Sequence, residues 1–95
     1  MKEGAFFINT ARGPIVDEAA LAESLRSGHL SGAALDVLEE EPMNASCVLK
    51  EIPNCTITPH VAWAPIETRQ RLVDVVLENV QAFLEGSPLN VVEAD

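Results

Sequence analysis

Ninety-five residues, 47% hydrophobic and 22% charged, suit one small globular domain and leave no room for two. Six basic residues against fifteen acidic ones give a net charge of −9, which argues against nucleic acid or an anionic membrane as a partner. Cys47 and Cys55 lack the spacing of a CxxC or zinc motif, and no apolar run is long enough for a signal or spanning segment; both read as reduced thiols of a cytoplasmic protein.

The first element is the apolar run Ala5-Phe6-Phe7-Ile8-Asn9, bounded by Gly4 and Gly13-Pro14. A short, continuous run of bulky residues predicts a parallel strand covered on both faces. Asp17 is placed to cap a helix running to about Ser27, with Glu18 near the positive end of its dipole. Leu21 and Leu25 lie one turn apart, and Gly28 supplies the stop. A small-residue strand, Ala33-Ala34-Leu35-Asp36-Val37, follows. Strand, helix and strand in that order imply a right-handed parallel crossover.

Residues 38–54 read as a long acidic loop, with Pro42 and Pro53 opposing regular structure. Cys55-Thr56-Ile57-Thr58 makes a third short strand, stopped by Pro59. Pro65 suits the first turn of a long helix ending near Gly86. At 100° per residue its apolar positions, from Ile66 to Leu84, span roughly 200°, against about 100° for a helix resting on one surface. Such a helix wants more than one packing partner, which points to contact with another domain or subunit.

The chemistry gathers by position. Arg12 follows the first strand, Asp36 ends the second, Glu41 comes shortly after it, and His60 follows the third. Ligands of open parallel α/β sheets bind beyond the carboxyl ends of the strands, so four polar groups fall on the one edge suited to catalysis. Arginine holds a carboxylate through two parallel hydrogen bonds, histidine passes a proton near neutral pH, and a neighbouring carboxylate selects which ring nitrogen faces the substrate. Together they match the needs of 2-oxo acid reduction. Each residue alone has a blander reading. Arg12 suits a solvated turn, His60 a loop, Asp36 a strand-end cap, and Glu39-Glu40-Glu41 a wet acidic face.

Three stretches carry a more specific signal. The segment Phe7-Ile8-Asn9-Thr10-Ala11-Arg12-Gly13-Pro14-Ile15-Val16-Asp17-Glu18 resembles a signature of the D-isomer-specific 2-hydroxyacid dehydrogenases. So do Gly32-Ala33-Ala34-Leu35-Asp36-Val37 followed by Glu41-Pro42, and Pro53-Asn54 followed by Thr58-Pro59-His60. The resemblance implies the C-terminal half of a Rossmann-like, doubly wound parallel sheet, incomplete as an isolated domain, with residues 1–95 forming the last part of a dinucleotide-binding catalytic domain. It also implies NAD or NADP as cofactor, a small 2-oxo or D-2-hydroxy acid as substrate, and a homodimer in the full-length parent.

By the same resemblance Arg12 binds the substrate carboxylate, Glu41 orients and charges the histidine, and His60 is the general acid/base. Asp36 holds the nicotinamide carboxamide, and Thr10 and Ala11 line the nicotinamide side. Val61-Ala62-Trp63 resembles the hydroxypyruvate and glycerate dehydrogenase branch. Ala62 and Trp63 join Arg12 and His60 as expected cofactor neighbours, although Trp63 equally suits a domain interface. The glycine-rich phosphate loop, and the residue that selects NAD or NADP, are not among these 95 residues. The chain therefore reads as a fragment of an oxidoreductase, inactive alone. The competing reading is a non-catalytic dimerisation or corepressor-like module of the same fold. No metal site is expected, because His29 and His60 are far apart and no HExxH or cysteine cluster occurs.

Overall fold

The computed structural model describes residues 1–93. Its elements are β1 (Ala5–Asn9), α1 (Glu18–Arg26), β2 (Leu30–Leu35), β3 (Cys55–Ile57) and α2 (Ile66–Leu84), with a single 3-10 turn at Gly13–Ile15. The chain divides into two units, Met1–Ala62 and a second beginning at Trp63.

In the first unit the three strands form one sheet in the order β1-β2-β3, and both pairings are parallel. Phe7 lies opposite Ala33, Asn9 opposite Leu35, and Leu35 opposite Ile57. The expected α/β crossover is therefore present. Asp17 caps α1 through its side chain, which accepts from the Ala20 amide at 2.9 Å. Gly28, at φ 77°, closes the helix in the left-handed conformation that a side chain resists.

The core is built from three sources. Leu21, Ala22 and Leu25 come from α1, and Leu30, Ala33 and Leu35 from β2. Leu38, Leu49 and Ile52 come from the irregular segment between β2 and β3. Leu49 is 1% exposed, more deeply buried than any strand residue. The acidic segment is thus folded over a hydrophobic underside, and burial of those three side chains gives it a defined path.

Three expectations need correction. β2 begins at Leu30 and ends at Leu35, because Leu30 is a buried core residue and already pairs with Ala5 of β1. Asp36 and Val37 lie beyond the strand, and β3 stops at Ile57, before Thr58. Burial of β1 on both faces is also not realised. Phe6 and Ile8 are 72% and 70% exposed, while Phe7 packs on the core. In the first unit α1 covers one face of the sheet, and a continuous apolar run does not specify which cover is present.

In the second unit, α2 runs 19 residues from its cap at Pro65, whose carbonyl accepts from Thr68 and Arg69. Gly86, also at φ 77°, ends it, and the Ser87 amide returns to the Ala82 carbonyl. Leu72, Val73, Val76, Leu77, Val80 and Phe83 are exposed, in keeping with the wide apolar arc read from the sequence. No helix of the described residues is long and apolar enough to cross a membrane.

Candidate active site

The sheet's hydrogen-bond ladder continues one step past the strands. The Asp36 amide donates to the Asn9 carbonyl at 2.9 Å, and the Thr58 amide donates to the Leu35 carbonyl at 2.9 Å. Asn9, Asp36 and Thr58 are thereby set in a row along the carboxyl edge, each at the root of one loop. Parallel pairing is what puts all three loop roots on the same edge.

The first loop is shaped by Asn9, a residue that sequence reasoning treated only as the end of a strand. It is 5% exposed. Its Oδ1 accepts from the Ala11 amide at 3.0 Å, and its Nδ2 donates to the Arg12 carbonyl at 2.9 Å. The backbone of Thr10, Ala11 and Arg12 is therefore folded around one buried amide side chain. The available signal was a lone polar residue closing an otherwise apolar run. Arg12 itself is exposed, and its Nη1 donates to the Ala11 carbonyl at 2.6 Å. Gly13 packs against the backbone of Leu38 and Glu39, closely enough that a Cβ there would overlap both. That contact joins the Arg12 loop to the segment carrying Glu41.

Glu41 folds back on its own segment, Oε1 accepting from the Leu38 amide at 2.9 Å. Its other oxygen, Oε2, lies 2.7 Å from His60 Nδ1. The hydrogen bond from His60, then the one from Leu38, holds the Glu41 carboxyl below its ordinary value. An ionised Glu41 can only accept, so Nδ1 carries the proton of this contact and proton exchange falls to Nε2. Glu18 was likewise missed as a contributor. Its Oε1 accepts from the Glu39 amide at 2.7 Å, tying the start of α1 to the Glu41 segment.

His60 adopts φ 56°, the left-handed region, which costs a residue with a Cβ about 1–2 kcal/mol. Such strain persists only where the surroundings impose it, and it concentrates at functional sites. Asp36 is hydrogen-bonded to residues on both sides of His60. It is 5% exposed, and its Oδ1 accepts from Thr58 Oγ1 at 2.5 Å and from the Val61 amide at 2.9 Å. Its Oδ2 accepts from the Ala62 amide at 2.8 Å. The Thr58 hydroxyl foremost, with the Ala62 and Val61 amides, outweighs burial and holds the Asp36 carboxyl below its usual range.

A cleft of about 540 Å³ opens beside the pair, with Asp36, Glu41, Met43, Thr58, Pro59 and His60 among its walls. That volume is in the range of small-molecule sites, roughly 300–1,000 Å³. Thr10, Ala11, Arg12 and Ala62 are not among the lining residues, and Trp63 belongs to the second unit. The geometry thus joins Glu41 and His60 directly, places Asp36 on the same cleft, and holds Arg12 on the adjoining loop. No group of three or more metal-ligating side chains converges among the described residues.

A nicotinamide is compatible with this donor and acceptor set. Asp36 takes three hydrogen bonds of the roughly four a carboxylate can accept, which leaves room for at most about one further donor, such as a carboxamide NH₂.

Comparison with known proteins gives the same direction. Residues 1–62 match the family model described as D-isomer specific 2-hydroxyacid dehydrogenase, NAD binding domain. The chain is 46% identical over 92 residues to a hydroxypyruvate reductase of Blautia hydrogenotrophica, covering 97% of this chain and 29% of the relative. It is 50% identical over 96 residues to a glycerate dehydrogenase of Methylorubrum extorquens, covering 99% and 31%. Among solved structures, a D-isomer specific 2-hydroxyacid dehydrogenase from Xanthobacter autotrophicus Py2, in complex with NADPH and MES, superposes with a TM-score of 0.74 at 44% identity. That match covers 98% of this chain and 38% of the other. The chain spans about three-tenths of the length of the curated relatives it matches.

Proposed function

The chain belongs to the D-isomer specific 2-hydroxyacid dehydrogenase family, and from that premise we propose that it carries the acid/base apparatus of an NAD(P)-dependent reductase of small 2-oxo acids. Residues 1–95 act as the carboxyl-terminal part of a dinucleotide-binding catalytic domain. Glyoxylate and hydroxypyruvate are the substrates of choice, since curated relatives bear the names hydroxypyruvate reductase and glyoxylate reductase. Assembly as a homodimer and residence in the cytoplasm belong to the same proposal.

The observation that carries the reading is the 2.7 Å contact between Glu41 Oε2 and His60 Nδ1 at the carboxyl edge of a parallel sheet. Arg12 anchors the substrate carboxylate through its planar fork. His60, protonated and held by Glu41, gives its Nε2 proton to the carbonyl oxygen as that oxygen gains charge. Glu41 stabilises the imidazolium before transfer and preserves the ring's orientation after it. The nicotinamide, when bound, supplies hydride to the carbonyl carbon. Thr10, Ala11, Asp36 and Ala62 form the cofactor's surroundings in this reading. The phosphate-cradling glycines are not among the 95 residues, so the chain by itself binds dinucleotide weakly or not at all.

The test is transplantation. Residues 1–95 replace the matched segment of the Methylorubrum extorquens glycerate dehydrogenase, and oxidation of NADH and NADPH is followed with glyoxylate and hydroxypyruvate. The chimera is expected to turn over, and His60→Ala to lose about 10²–10⁴-fold in rate. A chimera with native circular dichroism but no turnover, or a His60→Ala variant within about tenfold of it, refutes the proposal.

A further inference from the structure

Three donors converge on Asp36, and they come from both sides of one bend. Thr58 precedes Pro59-His60, and Val61 and Ala62 follow it. The Thr58 hydroxyl and the amides of Val61 and Ala62 all end on the same carboxylate, while the His60 amide closes the bend on the Thr58 carbonyl at 3.0 Å. A segment pinned at 58, 61 and 62 leaves little freedom for residue 60, which sits at φ 56° despite having a Cβ. From that backbone the His60 ring meets Glu41.

We propose that Asp36 is a positioning residue of the acid/base pair, clamping the 58–62 bend so that His60 is held in the left-handed state from which Nδ1 reaches Glu41. The inference rests on the acid/base reading of Glu41 and His60, and it gives Asp36 a task separate from any contact with the cofactor. A carboxylate serving the cofactor alone has no need of three internal donors. The chemistry also requires aspartate in particular. Asparagine has nearly the same shape but only one accepting oxygen, and its NH₂ would face an amide N–H that needs an acceptor. Burial of Asp36 keeps water from taking over those roles.

The experiment uses the 95-residue chain labelled with ¹⁵N, and reads the imidazole protons of His60 by NMR. His29, whose Nε2 contacts the Met1 carbonyl at 3.0 Å, serves as an internal reference outside the bend. The variants are Asp36→Asn, Thr58→Val and Thr58→Ser. In the wild type the Nδ1 proton of His60, held by Glu41, is expected to exchange more slowly than the ring protons of His29. Thr58→Val, which removes one donor, is expected to speed that exchange about tenfold, the factor that accompanies loss of one net hydrogen bond. Thr58→Ser keeps the hydroxyl and restores the wild-type rate. Asp36→Asn is expected to abolish the protected signal and shift the Val61 and Ala62 amides, while amides remote from the bend and His29 are unchanged.

A merely structural Asp36 would lower stability and loosen both histidines alike. A dispersed Asp36→Asn spectrum with an unchanged His60 Nδ1 proton overturns the proposal. If Asp36→Asn does not fold, the threonine pair decides. Exchange that Val accelerates and Ser restores supports the clamp, and exchange indifferent to both overturns it. Because the signal needs no turnover, an inactive chimera with the expected NMR result would count against the catalytic reading alone.

Discussion

Gly13→Ala tests the link between the arginine loop and the segment carrying Glu41. Gly13 sits at φ values open to any residue, so its importance is one of space. A Cβ there would overlap the Leu38 carbonyl and the Glu39 amide nitrogen, which are backbone atoms and cannot swing aside as a side chain does. Restoring van der Waals separation requires the two segments to part by on the order of 1 Å or more. The displaced segment includes Leu38, whose amide holds Glu41 Oε1, and Glu39, whose amide is held by Glu18. Overpacking of this kind costs about 1–3 kcal/mol, with the upper end expected where backbone meets backbone. A 1 Å misplacement of reacting groups costs about 10²-fold in rate. Urea denaturation of the chain measures the first figure, and steady-state rates of the Methylorubrum chimera the second. The decisive result is a rate loss larger than Gly28→Ala causes, since Gly28 is at φ 77° but has open space around its Cα. A Gly13→Ala chain with unchanged urea midpoint and unchanged chimera activity would refute the steric argument.

Leu49→Ala should destabilise the first unit by about 2–5 kcal/mol, as expected for a fully buried leucine, and urea midpoints will report it. A loss below about 1 kcal/mol would mean the 38–54 segment is not packed as described. Arg12→Ala in the chimera should raise KM for glyoxylate roughly 10–100-fold, the worth of a charge-assisted hydrogen-bonded pair, with a smaller change in kcat. Asp36 and Glu41 also set an acid limit. Their folded carboxyls lie below the ordinary values of 3.8 and 4.5, so the stability they contribute is complete above those values and is lost as pH falls beneath them. Acid titration followed by circular dichroism should therefore show unfolding that Glu41→Gln makes shallower below pH 4.5. The opposite steepening would reverse the sign of the argument.

Much of the fold was legible from local pattern. The parallel order of β1 and β2, the cap at Asp17, the stops at Gly28 and Gly86, and the long apolar helix all follow from short-range rules. The carboxyl-edge placement of Arg12, Asp36, Glu41 and His60 followed as well, because parallel pairing carries every strand's end to one rim. Tertiary structure decided the rest. Leu38, Leu49 and Ile52 become core only when the loop folds beneath itself, and no periodicity marks a loop's buried side. Glu18 became a loop anchor because its partner, the Glu39 amide 21 residues on, is brought near by folding, whereas Asn9 holds only its near neighbours Ala11 and Arg12 in a local turn. Exposure of Phe6 and Ile8 likewise depends on what covers the sheet, which an apolar run cannot say. The same holds for Asp36. Its type and position were plain from the chain, yet its three donors arrive from 22 to 26 residues away, and only three-dimensional convergence turns a strand-end carboxylate into the brace of a strained histidine.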